Sequence, residues 1–277
     1  MLSCLRDTFV SAVLLLFVLP AAGQAPSRPS RTADGKPNLN GIWQALNTAN
    51  WDLQGHSAQP SHVLSLGAQG AEPSGISVVE GGEIPYLPAA LEQKKKNFES
   101  RFQDDPEIKC YQPGVPRATY EGFPFQVVQS KDVILISYEF ANASRMIYMG
   151  HAPESPTDYV MGHSVGHWEG DTLVVSVTNL DDRTWFDRAG DYHSDALHVM
   201  ERYSPISADA LNYEATIDDP QVYSRPWKIS MPLYRHLEKN PRLMEFRCVE
   251  FVEDLLYGPY YKHPVVVNEG AGTGKAR

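Results

Sequence analysis

The sequence predicts a mainly β protein: an antiparallel barrel or barrel-like sandwich with one peripheral helix and a long N-terminal wrapping segment. Three observations carry this prediction. From Phe125 onward apolar and polar residues alternate with period two. Turn sequences cut that stretch into pieces of strand length. A single convincing amphipathic helix precedes it. The candidate strands are 125–130, 132–140, 144–150, 159–168, 172–178, 196–204, 210–218, 225–233 and 243–252. Ser130-Lys131, Asn142-Ala143, Glu169-Gly170-Asp171, Ser207-Ala208-Asp209 and Asp218-Asp219-Pro220 punctuate them. Short turns between successive strands favour a meander, and strands this dense with little helix favour closure.

The elements before Phe125 follow in order. Residues 1–25 have the three-part order of a signal peptide: a short start with Arg6, the apolar run Phe9–Leu19, then small residues from Pro20 to Ala25. The run is short of the roughly 20 residues a membrane span needs, and no basic stop-transfer cluster follows it. Export is therefore expected over a retained anchor, with the mature protein periplasmic or secreted. Residues 26–277 read as one domain, in which 26–123 hold an entry strand, a wrapping loop and the helix. Residues 124–253 hold the meander, and 254–277 a tail. Leu39–Trp43 is the entry strand. Residues 52–86, rich in Gly, Ser, Pro and Gln, form a loop that wraps the core or lids a cavity. Over 88–102, Pro88 suits a first helical turn, and Leu91, Phe98 and Phe102 make an apolar stripe.

Net charge is −10, from 24 Lys and Arg against 34 Asp and Glu. Without a basic stripe, such a chain repels phosphate backbones, which excludes nucleic acid as the expected partner. No later segment approaches membrane length. Past the leader two cysteines remain, Cys110 and Cys248, and in an oxidising compartment an even pair favours a disulfide over two buried thiols. No Cys-x-x-Cys, His-Glu-x-x-His, nucleotide-binding glycine loop or Gly-x-Ser-x-Gly elbow is present, so no cofactor and no metal is expected.

Gly41-x-Trp43 resembles the entry signature of lipocalin-type barrels. A larger set comprises Leu39-x-Gly41-x-Trp43, Cys110-x-x-Pro113-Gly114-x-Pro116-Arg117 and Gly166-His167-Trp168-Glu169-Gly170-Asp171-Thr172-Leu173-Val174-Val175. His193-Ser194, Leu197-His198, Glu201-Arg202, Asp219-Pro220 and Pro226-Trp227 complete it. Together these resemble a family of exported, β-rich bacterial proteins of uncharacterised activity. The resemblance covers nearly the whole mature chain and implies a secreted bacterial β protein. It supplies no reaction.

Candidate chemistry comes from side chains that alternation could turn inward. On 159–169, Tyr159, Met161, His163, Val165, His167 and Glu169 share one face, and the other carries mostly small residues up to Trp168. His163 and His167 lie roughly 13 Å apart along a strand, too far to share one metal. In 196–204, Leu197, Val199, Glu201 and Tyr203 alternate with His198, Met200 and Arg202, so either face buries a titratable group. A carboxyl among apolar residues is primed for acid–base work, unless Arg117 or Arg145 pairs with it as a structural ion pair. Residues 185–195 interleave aromatic rings, carboxylates and a histidine, which suits a ligand mouth or a packed loop.

The expected function is a cofactor-independent enzyme, of isomerase, cyclase or lyase type, acting on a small apolar or aromatic molecule in the barrel pocket. The catalytic candidates are Glu201 and His198 as acid or base, Arg202 or else Arg117 for charge stabilisation, and His193. The ligand-binding candidates are Trp43, Arg117, Tyr120, His163, His167, Trp168, Trp185, Asp187 and Tyr192. The alternatives are a non-catalytic lipocalin-like carrier using the same pocket, and an envelope interaction module.

Overall fold

The computed structural model describes residues 29–61 and 63–260. The expected leader and the last part of the tail lie outside them. Among the described residues nine strands form a closed barrel in chain order. They are β1 (Gly41–Ala45), β2 (Phe125–Gln129), β3 (Val133–Tyr138), β4 (Ser144–Met149), β5 (His163–Glu169), β6 (Thr172–Thr178), β7 (His198–Pro205), β8 (Ala210–Asp218) and β9 (Trp227–Arg235). Alternation turns one face of each strand inward. The interior is filled by large side chains such as Trp43, Phe125, Ile134, Ile147, Leu173, Val199, Tyr213 and Ile229, all essentially buried.

Two features depart from the expected meander. β4 and β5 are parallel, pairing Ile147–Met149 with Ser164–Gly166, because residues 150–162 carry the chain back along the barrel before β5 begins. Tyr159–Gly162 therefore forms a turn rather than the start of a strand, with Gly162 at φ +63°. Tyr159 and Met161 do not share a strand face with His163 and His167. The small inward residues Ser164 and Gly166 behave as their size requires: a Cβ on Gly166 would stand 2.7 Å from Ile147 Cγ2.

The second departure is residues 243–252, which form no strand. The barrel is already closed by β9 against β1, with Trp43 opposite Arg235 and Ala45 opposite Leu233, so no edge remains for another strand there. Gly41 and Trp43 explain this seam. Arg235 crosses directly over Gly41 to the Asn40 carbonyl, where a Cβ would clash, and its guanidinium lies 4.1 Å from the Trp43 ring centre. Residues 243–252 run outside the barrel, where Phe246 packs on Phe123 and Phe140. Cys248 in this segment is bonded to Cys110, so the expected disulfide is present, although Cys248 is not on a strand.

Helix α1 spans Pro88–Asp104, with Pro in its first turn as expected. The expected stripe of Leu91, Phe98 and Phe102 is not what packs it down. Ala90 and Asn97 are its buried residues, and Asn97 donates to the Gly190 carbonyl at 3.1 Å, while Leu91 and Phe98 are exposed. A close approach of helix to loop sets this choice, since Gly190 touches the backbone of Phe98 and leaves no room for larger side chains. The segment between β1 and α1 covers the first half of β9 through Glu80 N–H to Lys228 O at 2.8 Å and Ser230 N–H to Val78 O at 2.9 Å. A short second helix, Val252–Tyr257, follows the disulfide.

Candidate functional site

The barrel interior holds a closed polar network rather than a pocket. Glu201, fully buried, forms a bidentate pair with Arg145 at 2.7 and 2.9 Å, and accepts from Tyr203 at 3.0 Å and Tyr213 at 2.8 Å. Arg145 also donates to Tyr138 Oη at 3.1 Å and to Tyr203 Oη at 3.0 Å. Burial works against the Arg145 charge, but Glu201 and the tyrosine oxygens carry its pKa well above the ordinary arginine value. Tyr203 and Tyr213 are pushed up in turn, first by burial and then by the Glu201 charge. Every group in this set has a partner, which is how an ion pair survives inside a barrel.

The other three catalytic candidates stand elsewhere. His198 and Arg202 alternate with Glu201 and so face outward. His198 Nε2 is 2.8 Å from Ser176 Oγ, and Arg202 pairs with Glu169 at 2.9 Å. His193 is buried in the loop before β7. Its Nδ1–H donates to the Ser194 carbonyl at 2.9 Å, which leaves Nε2 to accept from Thr184 at 2.8 Å, and burial lowers its pKa, keeping it neutral.

The ligand candidates also divide. Trp43 is a core residue, its indole N–H donating to the Leu39 carbonyl at 2.8 Å. Tyr120 is buried and donates to the Phe186 carbonyl at 2.9 Å. His167 is exposed beside Glu169, and Trp168 is partly covered with Lys36 over its ring at 5.8 Å. His163 lies against Tyr148 and lines an open cleft of about 520 Å³ between β4 and the 153–162 loop, with Arg183 on its far wall. Trp185 and Tyr192 face each other across a bridge in the 185–195 loop, and Tyr192 stacks on Tyr86. Asp187 and Arg117 are the candidates that stand closest to a built site.

That site is a cavity of about 450 Å³ outside the barrel, within the range that holds small molecules. The chain after β1 forms one wall with Trp51, Asp52 and His56. α1 forms another with Phe98, Arg101 and Phe102, and Arg188 of the 185–195 loop closes it. Arg101 lies over both phenylalanine rings, 4.0 and 4.3 Å from their centres, and reaches Glu72 at 3.5 Å. Arg188 lies 4.4 Å over the Trp51 ring.

Three carboxyls meet behind this wall. Asp52, Asp187 and Asp191 each bring an oxygen within 4.8 Å of the others, and no ion pair among the described residues includes them. Such a group must be neutralised by a shared proton or a cation. Asp187 accepts backbone N–H groups from Leu53 at 2.9 Å and Asp191 at 3.1 Å, and Asp191 Oδ1 accepts from Tyr86 at 2.6 Å. Burial pushes the Asp187 carboxyl well up, helped by the Asp191 charge and by a hydrogen bond between the two carboxyls. The buried Asp191 Oδ2 has no hydrogen-bond partner among the described residues. Asp52, half-buried on the cavity wall, is raised by burial and then by Asp191.

Arg117 belongs to a second buried cluster beside the cavity. It donates to Asp105 at 2.8 and 3.1 Å, to Glu107 at 2.7 Å and to Asn50 at 2.8 Å, and Arg188 closes the ring on Glu107. Burial would raise Glu107, but Arg188 and Arg117 hold it at about 2.

Sequence reasoning reached Asp187 through the density of residues 185–195, and expected residues 52–86 to wrap the core or lid a cavity. It missed Asp52, His56, Arg101, Arg188 and Asp191 as one site. The spacing of Asp187 and Asp191 was visible, but nothing local tied them to Asp52, which arrives from 135 positions away. No protein-family model matches the chain, and no curated protein is significantly similar to it. The site is therefore interpreted from its own chemistry.

Proposed function

We propose that this is an exported enzyme that moves a proton on a small, largely apolar or aromatic molecule held in the cavity beside the barrel. Asp52 is the acid or base. The observation that carries this reading is a half-buried carboxyl on a cavity wall, raised by burial and backed by a second acid pair. Those are the conditions that raise a carboxyl from its ordinary range and suit it to exchange a proton with a substrate. Trp51, Phe98 and Phe102 supply apolar surface, and Arg101 supplies positive charge for an anion developing on the substrate. Glu201 does not fit this role, because all its neighbours are fixed partners inside the barrel.

Export is supported by the order of residues 1–25 and by the Cys110–Cys248 bridge, which persists in oxidising compartments. A mature N-terminus between Gly23 and Pro26 is the expected result of terminal sequencing. The functional test starts with native mass spectrometry of the purified protein and extraction of the bound molecule. Incubated with that molecule, the wild type should convert it, and Asp52→Asn should bind it while losing about 10²-fold or more in rate. A wild type that binds the molecule and returns it unchanged would make the chain a carrier and end the catalytic reading.

A further inference from the structure

One buried acid has been left without a role. Glu121 follows the helical turn Arg117–Thr119 and is 5% exposed, yet neither of its carboxyl oxygens has a hydrogen-bond partner among the described residues. Its charged surroundings come from three places in the chain. Arg117 and Tyr120 stand on its own segment, Asp105 and Glu107 follow α1, and Arg188 comes from the 185–195 loop. The two guanidinium charges are already matched by the Asp105 and Glu107 carboxylates, which they contact directly. A charged Glu121 would be a third carboxylate with no cation left for it. The cluster thus accommodates Glu121 only with its proton on.

This cluster also ties the segment after β1 to the 185–195 loop and to the chain that follows α1. Asn50 from the segment after β1 accepts from Arg117 and donates to Glu107 at 3.2 Å, and the Arg188 N–H donates to the Asn50 carbonyl at 2.8 Å. Asp105 and Arg188 line the cavity itself. We propose that Glu121 is a proton-operated latch: protonated, it lets the cluster close the segment after β1 against the 185–195 loop and the chain after α1, and its ionisation loosens that contact and the cavity wall with it. For an exported chain, the trigger would be the pH of its surroundings. The effect on ligand access rests on the cavity reading above, whereas the effect on the wrap does not.

The direction follows from burial. Desolvation, then the Glu107 and Asp105 charges, push the Glu121 carboxyl well above its ordinary value, against the pull of Arg117. A carboxyl raised on folding contributes stability in full below its unfolded value of 4.5 and loses it as pH rises through the folded value. Between those limits one proton is linked, so opening should grow tenfold per pH unit.

The test is amide hydrogen exchange of the full mature chain against pH, corrected for intrinsic rates, in wild type and Glu121→Gln. In the wild type, opening of segments 50–56 and 105–112 should rise toward tenfold per pH unit as pH climbs above 4.5, while β6–β8 stay protected. In Glu121→Gln that extra rise should be absent. The comparison removes the contribution of Asp187, which both proteins share. Equal pH dependence in the two proteins would overturn the proposal. Should the variant fail to fold, carboxyl-carbon NMR of the glutamate-labelled wild type decides. One glutamate that keeps its proton well above pH 4.5 supports the latch, and none refutes it. Neither readout needs a ligand, so failure here is distinct from failure of the proposed activity.

Discussion

Replacing Glu201 by Gln tests how the barrel interior is held. The substitution keeps the shape of the side chain but leaves the Arg145 guanidinium buried without a counter-charge. It also places an amide where one carboxylate oxygen now accepts from Arg145 Nη2, Tyr203 and Tyr213 together. Removing one partner of a buried pair costs about 3–5 kcal/mol. At about 2–4 °C per kcal/mol for a chain of this size, the melting temperature should fall by about 6–20 °C. Tyr213→Phe removes one hydrogen bond to the carboxylate and leaves the charges matched, so it should cost less, about 1.5–3 kcal/mol. Glu201→Leu combined with Arg145→Met removes both charges and should recover much of the loss, because apolar pairs often replace buried ion pairs without penalty. Calorimetry or thermal circular dichroism of the three proteins gives the order. A Glu201→Gln protein melting within about 2 °C of wild type would refute the reasoning, since a cost of about 3 kcal/mol could not be hidden in so small a shift.

Other expectations follow from the same structure. Gly190→Ala should loosen α1 and open the cavity, because φ there is +85° and the new Cβ would stand 2.8 Å from the Phe98 backbone nitrogen. A cost of about 1–3 kcal/mol with faster proteolysis between α1 and the 185–195 loop would show it. Thiol labelling of the denatured, unreduced protein should find neither Cys110 nor Cys248 free. The bridge closes a separation of 138 residues, which the chain-entropy account values at about 5 kcal/mol. Glu107 is held at about 2 against 4.5 unfolded, so its contribution, about 3 kcal/mol, is present above pH 4.5 and lost as pH falls toward 2. Acid melts of Glu107→Gln should therefore be flatter than those of wild type over that range.

Strand alternation made most of the barrel legible. It placed Glu201 with Leu197, Val199 and Tyr203 and offered Arg117 or Arg145 as its partner; the structure joins it to Arg145 and puts Arg117 on Asp105 and Glu107. It failed at residues 243–252, where Met244, Phe246 and Cys248 alternate with Glu245 and Arg247 just as a strand would. There the pattern serves a single aromatic anchor, Phe246, and a disulfide on the outer surface, and the barrel had no free edge to offer. It failed again at Tyr159–Gly162, because Gly162 in the left-handed region ends the alternation that the residue types suggest. The cavity was less legible than the barrel. Asp52 sits in a loop without periodicity; Asp187 is positioned by backbone N–H groups and Asp191 by the distant Tyr86 hydroxyl, which no residue pattern reveals. Arg188 looked like one charge in a dense loop, yet it seals the cavity by stacking on Trp51 and pairing with Glu107.

The central claim is that small molecules bind beside the barrel and not inside it. Protein-observed NMR of the mature chain with a panel of small aromatic acids, amines and alcohols tests it directly. The account predicts that binding members shift the Trp51 indole and the amides of Asp52, His56, Phe98 and Arg101, and that Asp52→Asn alters their affinity. Shifts confined to inward residues of the barrel such as Tyr213 and Val199, or to the cleft at His163 and Arg183, would contradict it.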